Sequence, residues 1–327
     1  MQLLHTTDAD FEKRFARIVN DRRESDKDVA NVVQSIIAKV RSEGDAALLE
    51  LTTRFDGHDL ARDGWQIGKE ACAEAFHALD PVLRAALETA ATRIAAYHEA
   101  QLPADRDYTD EAGVRLGARW SAVEAAGLYV PGGRAAYPSS LLMNAIPARV
   151  AGVERLVVMT PTPKGEINPL VLAAAHLAGV DEIWRVGGAQ AVAALAYGTD
   201  TIKPVDVITG PGNAFVAEAK RQLYGVVGID MVAGPSEILV ISDAKSDPDW
   251  IAADLLSQAE HDPSSQSILI TDDLGFARQV EDAVDVMCAG LATNRTARAS
   301  WDDHGVIIVV GDLATEVEDD DAVAQPH

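Results

Sequence analysis

The chain has 327 residues, of which 48% are hydrophobic and 24% are charged, and its formal net charge at pH 7 is −23. Such a length and composition are typical of a globular protein with roughly two domains. The large excess of acidic over basic residues excludes a general nucleic-acid-binding protein and a protein that binds anionic membrane surfaces.

The cellular location is predicted from what the sequence lacks. No stretch reaches the run of about 18 apolar residues that a membrane-spanning helix needs, and the N-terminal residues MQLLHTTD are too polar for a secretory signal. Cys72 and Cys288 are the two cysteines, and both occur in apolar helical patterns. We expect them to be reduced core residues, which predicts a cytoplasmic protein.

The first part of the chain is predicted to be mainly helical. The pattern indicates, in chain order, an arm or small helix pair over 1–25, two helices within 26–55, two helices within 69–101, and strands or a hairpin over 106–126. Gly44 separates the first two helices. Asp80 and Pro81 read as an N-cap followed by a proline at the first helical position, so they begin the fourth helix.

From residue 129 onwards, short apolar strands alternate with helical patterns. The predicted helices cover 139–150, 168–178, 189–197, 214–223, 249–260 and 275–288, and strands lie between them. This alternation predicts two doubly wound, Rossmann-like α/β domains with parallel sheets, preceded by an α-helical N-terminal region. The predicted domains are an arm (1–25), a discontinuous first domain (26–128 with 237–311), an inserted second domain (129–236) and an acidic disordered tail (312–327).

Glycine-containing turns mark the ends of several predicted strands. They lie at 127–133, 186–190, 208–213 and 233–237. Glycine allows a sharp turn or a close approach of backbone to ligand, and a helix that starts after such a turn offers free N–H groups to a phosphate. The turns therefore indicate a nucleotide site at one sheet edge. None of them has the G-x-G-x-x-G spacing of the standard dinucleotide fingerprint.

Three polar residues near the end of the predicted helix 249–260 share one helix face. Asp254, Gln258 and His261 are spaced i, i+4 and i+7. Taken alone, this spacing is typical of a solvent-facing stripe, because an amide is a poor metal ligand and two ligands do not complete a site. Ser236, in the last glycine turn, reads equally well as a hydroxyl that bonds its own backbone.

Six motifs between residues 127 and 261 resemble those of the histidinol dehydrogenase family, and they occur in that family's order. They read GLYVPGG, YPSSLLMNAIPARVAGV, VGGAQAVAALAYGT, ITGPGNAFVAEAKRQLYG, IDMVAGPSEILVI and LLSQAEHDP. Weaker similarity extends from about residue 20 to residue 311, and we expect it to end after Leu313.

The resemblance implies an activity and a set of site residues. The family oxidises L-histidinol to L-histidine through an aldehyde, in two hydride transfers to NAD, as the last step of histidine biosynthesis. It works as a homodimer whose subunits share a zinc site. The implied residues are Tyr129, Gln190 and Asn213 for NAD, Gln258 and His261 for zinc and substrate, and Ser236 for substrate. Asp254 has no such counterpart and stays a surface residue in this interpretation.

The end of the chain departs from the family pattern. A Pro-Glu-His-Leu motif, which supplies the acid–base pair, and two further zinc ligands are expected after Leu313, where the chain reads ATEVEDDDAVAQPH. We therefore assign no catalytic residue, His327 included, and interpret this ending as a truncation or a shifted reading frame. Two alternatives stay open: a dehydrogenase of another small polar alcohol, such as a sulfonated one, and a non-catalytic fragment.

Without the acid–base pair, hydride transfer lacks a proton acceptor, and two protein ligands hold zinc poorly. We therefore expect this chain to bind NAD weakly at best and to oxidise histidinol negligibly. A steady-state assay of the pure protein with histidinol, NAD and zinc tests this expectation, and clear turnover would contradict it.

Overall fold

The computed structural model describes residues 1–21, 27–132, 137–234 and 236–313. Within these ranges no helix is both long and apolar enough to cross a membrane. The strands are β1 (Gln2–His5), β2 (Gln66–Ile67), β3 (Arg106–Thr109), β4 (Arg115–Ala118), β5 (Ala125–Tyr129), β6 (Arg155–Met159), β7 (Glu182–Trp184), β8 (Val207–Thr209), β9 (Gly228–Ile229), β10 (Glu237–Ile241), β11 (Gln266–Thr271) and β12 (Val306–Val309).

The helices, numbered in the same way, are α1 (Phe11–Asp21), α2 (Lys27–Glu43), α3 (Asp45–Asp56), α4 (Leu60–Asp63), α5 (Lys69–His77), α6 (Pro81–Glu99), α7 (Pro138–Val150), α8 (Pro169–Leu177), α9 (Gly188–Tyr197), α10 (Ala214–Leu223), α11 (Pro248–Ala259), α12 (Leu274–Gly290) and α13 (Asn294–His304). A 3₁₀ turn spans Pro163–Gly165. The strand–helix alternation predicted from the sequence is therefore present in both halves of the chain.

The chain forms two compact units, and their boundaries differ from the predicted ones. The larger unit is Asp26–Ala233, and the smaller unit joins Met1–Ser25 to Gly234–His327. The prediction had instead joined 26–128 to 237–311 and treated 129–236 as an insertion. A boundary after residue 128 would cut β5, which pairs with β6 on one side and with β8 on the other. The helices before β5 therefore belong with the strands that follow it.

The N-terminal segment is also more than the predicted arm. β1 pairs in parallel with β12, with Leu4 opposite Ile308, so the start of the chain completes the sheet of the smaller unit. Such a pairing joins residues about three hundred positions apart, and no local pattern announces it. The predicted tail, 312–327, lies outside the described residues from 314 onwards.

The larger unit is built on a six-stranded sheet with the order β2-β7-β6-β5-β8-β9. β5 to β9 pair in parallel, and only β2 at the edge is antiparallel to its neighbour. From β5 the chain moves outwards through β6 and β7, and then returns to the other side of β5 for β8 and β9. This reversal creates a topological switch point between β5 and β8, the position at which open α/β sheets commonly bind ligands.

Helices cover both faces of this sheet, as a doubly wound fold requires. Alternate residues of β5 supply the two cores: Ala125 and Tyr129 pack with α2, α3, α9 and α10, whereas Ala126 and Leu128 pack with α5, α6, α7 and α8. The smaller unit repeats the scheme with a parallel sheet of order β1-β12-β11-β10. Its faces are covered by α1 on one side and by α11, α12 and α13 on the other. The predicted fold class is confirmed.

Local signals located several elements correctly. The Asp80 carboxylate accepts a hydrogen bond of 2.8 Å from the Val82 N–H and begins α6, and β3 and β4 form the predicted hairpin. Both cysteines are free and buried, as predicted.

α13 was not predicted from the sequence. Its buried stripe consists only of Ala297, Ser300 and Trp301, and this stripe is too narrow and too polar to give a recognisable apolar period.

Candidate functional site

Three of the sequence-predicted residues lie at the carboxyl edge of the six-stranded sheet. Tyr129 is the last residue of β5, Gln190 lies in the first turn of α9 just after β7, and Asn213 precedes α10 just after β8. The carboxyl ends of parallel strands meet at one edge, so all three belong to the edge that contains the switch point. The predicted position of these residues, at or just after strand ends, is confirmed.

Tyr129 links two of the turns at this edge. Its hydroxyl oxygen accepts a hydrogen bond of 3.0 Å from the N–H of Gly188, and its side chain is only 4% exposed. Burial raises the pKa of the phenol to about 12, against the opposing effect of the Gly188 hydrogen bond. The phenol is therefore neutral at physiological pH, and it holds the end of β5 against the start of α9.

The N-cap residue of α9 makes no side-chain capping bond, although the Tyr129 hydroxyl accepts from the N–H of Gly188 in the first turn. This N-cap residue is Gly187, which offers no capping side chain. Gly188 has a φ of 65°, and a Cβ built there would lie 2.7 Å from Oε1 of Gln190, whose side chain is 2% exposed. The Gln190 carboxamide therefore folds back over the first residue of the helix. The N–H groups of the first turn are the natural partners of an anion.

The turn after β8 approaches β5 so closely that it admits no side chain. Gly210 has a φ of 111°, and a Cβ there would collide with the carbonyl oxygen of Tyr129. Asn213 then caps α10, because its Oδ1 accepts hydrogen bonds from the N–H groups of Phe215 and Val216, at 3.1 and 3.2 Å. The amide nitrogen of this exposed side chain is the group available to a ligand.

The turns on the other side of the switch point also contain glycines where a side chain would not fit. A Cβ at Gly132, after β5, would collide with the carbonyl of Pro161, and a Cβ at Gly187, after β7, would collide with the Pro161 ring. The turns after β5, β6 and β7 thus meet through backbone and one proline. The result is an edge lined by backbone groups, which can approach a phosphate or a ribose closely.

Asp56, at the end of α3, was not identified from the sequence. Its Oδ2 is buried without a hydrogen-bond partner, and burial raises its pKa from 3.8 to about 6. The carboxylate acts electrostatically on Tyr129 and so lies near the same sheet edge. In the sequence, an aspartate before Gly57 reads simply as a helix end, and no pattern reveals its burial.

The other three predicted residues lie in the smaller unit, at the amino edge of its sheet. Ser236 immediately precedes β10, and its carbonyl accepts a hydrogen bond of 2.9 Å from the N–H of Gln266 at the start of β11. Gln258 is in the last turn of α11, and the N–H of His261 donates to its carbonyl at 3.1 Å. Since α11 runs back from the end of β10 to the start of β11, its C-terminal end and Ser236 share one edge.

This part of the smaller unit supplies two candidate metal donors, the Gln258 carboxamide and the exposed His261 imidazole. Across the described ranges, no three His, Cys, Asp or Glu side chains gather in an arrangement that could hold a metal ion. Two donors one helical turn apart fit part of a zinc site but do not close one. Asp254 is exposed on α11, as predicted for a surface residue.

Comparison with known proteins identifies relatives along nearly the whole chain. The family model described as histidinol dehydrogenase matches residues 19–327. A histidinol dehydrogenase of Zymomonas mobilis is 60% identical over 310 residues, which cover 95% of this chain and 72% of that protein. One from Rhodospirillum rubrum is 62% identical over 310 residues, 95% of this chain and 71% of that protein.

A solved structure agrees with these matches. The crystal structure of histidinol dehydrogenase from Elizabethkingia anophelis superposes with a TM-score of 0.84 at 32% identity, over 97% of this chain and 72% of that one. The family match also corrects one expectation: the similarity does not end after Leu313, because it continues to residue 327.

The buried carboxyl of Asp56 generates a pH-dependent prediction. A raised pKa means that ionisation opposes folding, so the free energy of unfolding falls as the pH rises from about 4 through 6. We expect Asp56→Asn to raise the free energy of unfolding by about 1–2 kcal/mol at pH 8, after allowance for solvent screening, and by almost nothing at pH 4.

Urea unfolding monitored by circular dichroism at pH 4, 6 and 8 measures this difference. Asp254→Asn, at the exposed position on α11, is the matched control and is expected to show no comparable change. An Asp56→Asn gain that is equal at pH 4 and pH 8 would contradict the assignment.

Proposed function

Because the chain belongs to the histidinol dehydrogenase family, which oxidises L-histidinol in histidine biosynthesis, we propose that it binds NAD at the carboxyl edge of its six-stranded sheet. The observation that carries this proposal is the switch point between β5 and β8, where Gly210 meets the Tyr129 carbonyl without room for a side chain. Open α/β sheets bind nucleotides at such a position.

The residues at this edge have complementary roles in the proposed site. The first turn of α9, whose N-cap residue Gly187 has no side chain, and the backbone turns at Gly132 and Gly187 suit the pyrophosphate. Asn213 offers an exposed carboxamide on one side of β5 for ribose or amide contacts, and the buried carboxamide of Gln190 lies at the start of α9 on the other side, where we propose that it contacts the cofactor. Tyr129 acts chiefly by keeping these turns in place, because its hydroxyl is already bonded to Gly188. NAD, when bound, accepts hydride from the substrate.

In the smaller unit we propose that Ser236, Gln258 and His261 hold the substrate, and that Gln258 and His261 are also zinc ligands. Their common position at one sheet edge and the single helical turn between Gln258 and His261 support this role. A neutral imidazole and a carboxamide oxygen are both competent donors to zinc, the imidazole being much the stronger. The two side chains alone predict weak metal affinity.

We further propose a cytoplasmic homodimer. Two buried free cysteines fit a reducing compartment. The β3–β4 hairpin supports self-association, because all its residues are exposed, among them Tyr108 and Leu116, and Trp120 beside it is exposed too. A two-stranded hairpin by itself is marginally stable in water, and a second copy of the chain would cover these exposed apolar side chains.

The NAD site makes a prediction at Asn213. Asn213→Asp keeps an oxygen that can cap α10, but it replaces the amide donor by a negative charge in a site proposed to hold the anionic NAD. We expect the Kd for NAD to rise about tenfold or more, with unchanged stability, because one hydrogen bond to a charged group and a like-charge repulsion are each of this order.

Isothermal titration with NAD measures this change. Asn168→Asp is the matched control, because Asn168 caps α8 through the same kind of bond, 2.9 Å from Oδ1 to the Leu170 N–H, without lying beside the switch point. Equal NAD affinity of the Asn213→Asp variant and the unaltered protein would overturn the assigned site.

The dimer makes a separate prediction. Light scattering after size exclusion is expected to give the mass of two chains, and Leu116→Ser with Trp120→Ser is expected to shift it to one, because both substitutions remove apolar surface from the exposed hairpin region. Val286→Ser, at a still more exposed apolar position on α12, is the control. A dimer that persists in the hairpin variant would contradict this surface.

A further inference from the structure

A buried lysine lies beneath the turn that follows β8. Lys220 is in α10, on the buried stripe that also contains Val216, Ala219 and Leu223, and it is 2% exposed. Its Nζ donates a hydrogen bond of 3.1 Å to the carbonyl oxygen of Gly210 and forms an ion pair with the Oδ1 of Asp230. The ammonium group therefore ends at the backbone of the glycine that meets Tyr129.

Asp230 completes the arrangement from the other side. It follows β9, and its Oδ2 accepts a hydrogen bond of 2.8 Å from the N–H of Gly210, while its Oδ1 accepts one of 2.6 Å from the N–H of Met231. Its own N–H donates to the carbonyl of Ile208 at 3.2 Å, so the residue is itself fixed by the sheet. Lys220 and Asp230 thus bind both polar backbone groups of Gly210.

The energetics favour a role in geometry over a role in stability. Removing an ammonium group from water is expensive, and a buried ion pair commonly stabilises a fold no more than well-packed apolar residues of the same volume. Methionine would fill the position on the apolar stripe of α10 without that cost. What an apolar residue cannot do is hold a peptide group in one orientation.

We propose that Lys220 and Asp230 are positioning residues that fix the turn at 210–213 in the shape that receives NAD. The inference rests on the proposed function of this sheet edge. The pair acts through Gly210 and not through direct attraction of the cofactor, because the ammonium is matched by a carboxylate and its bonds are directed at Asp230 and Gly210. Without the pair, Gly210 and the start of α10 lose their fixed orientation relative to Tyr129.

The test is the double variant Lys220→Met with Asp230→Ala, which removes the pair without leaving an unmatched buried charge. We expect the Kd for NAD to rise at least tenfold, measured by isothermal titration. Hydrogen exchange measured by mass spectrometry is expected to accelerate at least tenfold in peptides that cover 207–214, with little change in peptides that cover β6. Circular dichroism and thermal unfolding establish that the variant is folded.

The matched control is Arg155→Met with Glu182→Ala, which removes an ion pair of 2.7 Å from the amino ends of β6 and β7 in the same sheet. It is expected to lower Tm but to leave the Kd for NAD and the exchange at 207–214 unchanged, so a general loss of stability is distinguished from a loss of positioning. If both double variants weaken NAD binding in proportion to the decrease in their Tm, the role of Lys220 and Asp230 is structural and the inference is overturned.

Two further outcomes separate this inference from the proposed function. NAD binding and exchange that are unchanged in the Lys220→Met and Asp230→Ala double variant overturn the inference alone. Failure of the unaltered chain to bind NAD overturns the proposed function, and the inference falls with it.

Discussion

No side chain fits between the carbonyl of Tyr129 and the backbone of Gly210, and this contact shapes the edge of the larger sheet. β5 is the central strand, and the chain leaves it in both directions, to β6 and to β8. At the point of divergence the flanking connections must separate, while the strands themselves stay within hydrogen-bonding distance. Glycine at 210, with a φ of 111°, satisfies both demands.

Three side chains form hydrogen bonds with the backbone of the turns at the carboxyl edge of the larger sheet. The Tyr129 hydroxyl binds the Gly188 N–H, and Lys220 and Asp230 bind Gly210. Each interaction joins a backbone turn to a side chain outside that turn. Asp56 differs, because its buried Oδ2 has no partner and its ionisation opposes folding. The edge therefore combines firmly bonded turns with one carboxyl group whose charge state follows the pH.

Much of this fold could be predicted from the sequence, because the information is local. Apolar spacing of three to four residues located the helices, Asp80 with Pro81 located the start of α6, and glycine turns after apolar runs located the carboxyl ends of β5, β7 and β8. The pairing of strands that are distant in the sequence could not be predicted, because it leaves no local pattern. The pairing of β1 with β12, and the union of 26–128 with the strands that follow, were therefore missed.

The same distinction applies to the site. Tyr129, Gln190 and Asn213 were predicted as NAD-site residues because each adjoins a glycine turn and a recognisable motif. Lys220 left a weak signal, a lysine on an otherwise apolar helix stripe, and Asp230 and Asp56 left none. Lys220 and Asp230 are distinguished by their bonds to Gly210, and Asp56 by a buried oxygen without a partner. A one-dimensional pattern contains neither feature.

The central claim is that NAD binds at the switch point of the larger sheet. A crystal structure of the chain soaked or co-crystallised with NAD tests it most directly. The account predicts the pyrophosphate against the first turn of α9 and the turn at 210–213, with the cofactor crossing the end of β5. A cofactor bound at the carboxyl edge of the four-stranded sheet, or along the amino ends of β6 and β7, would contradict it.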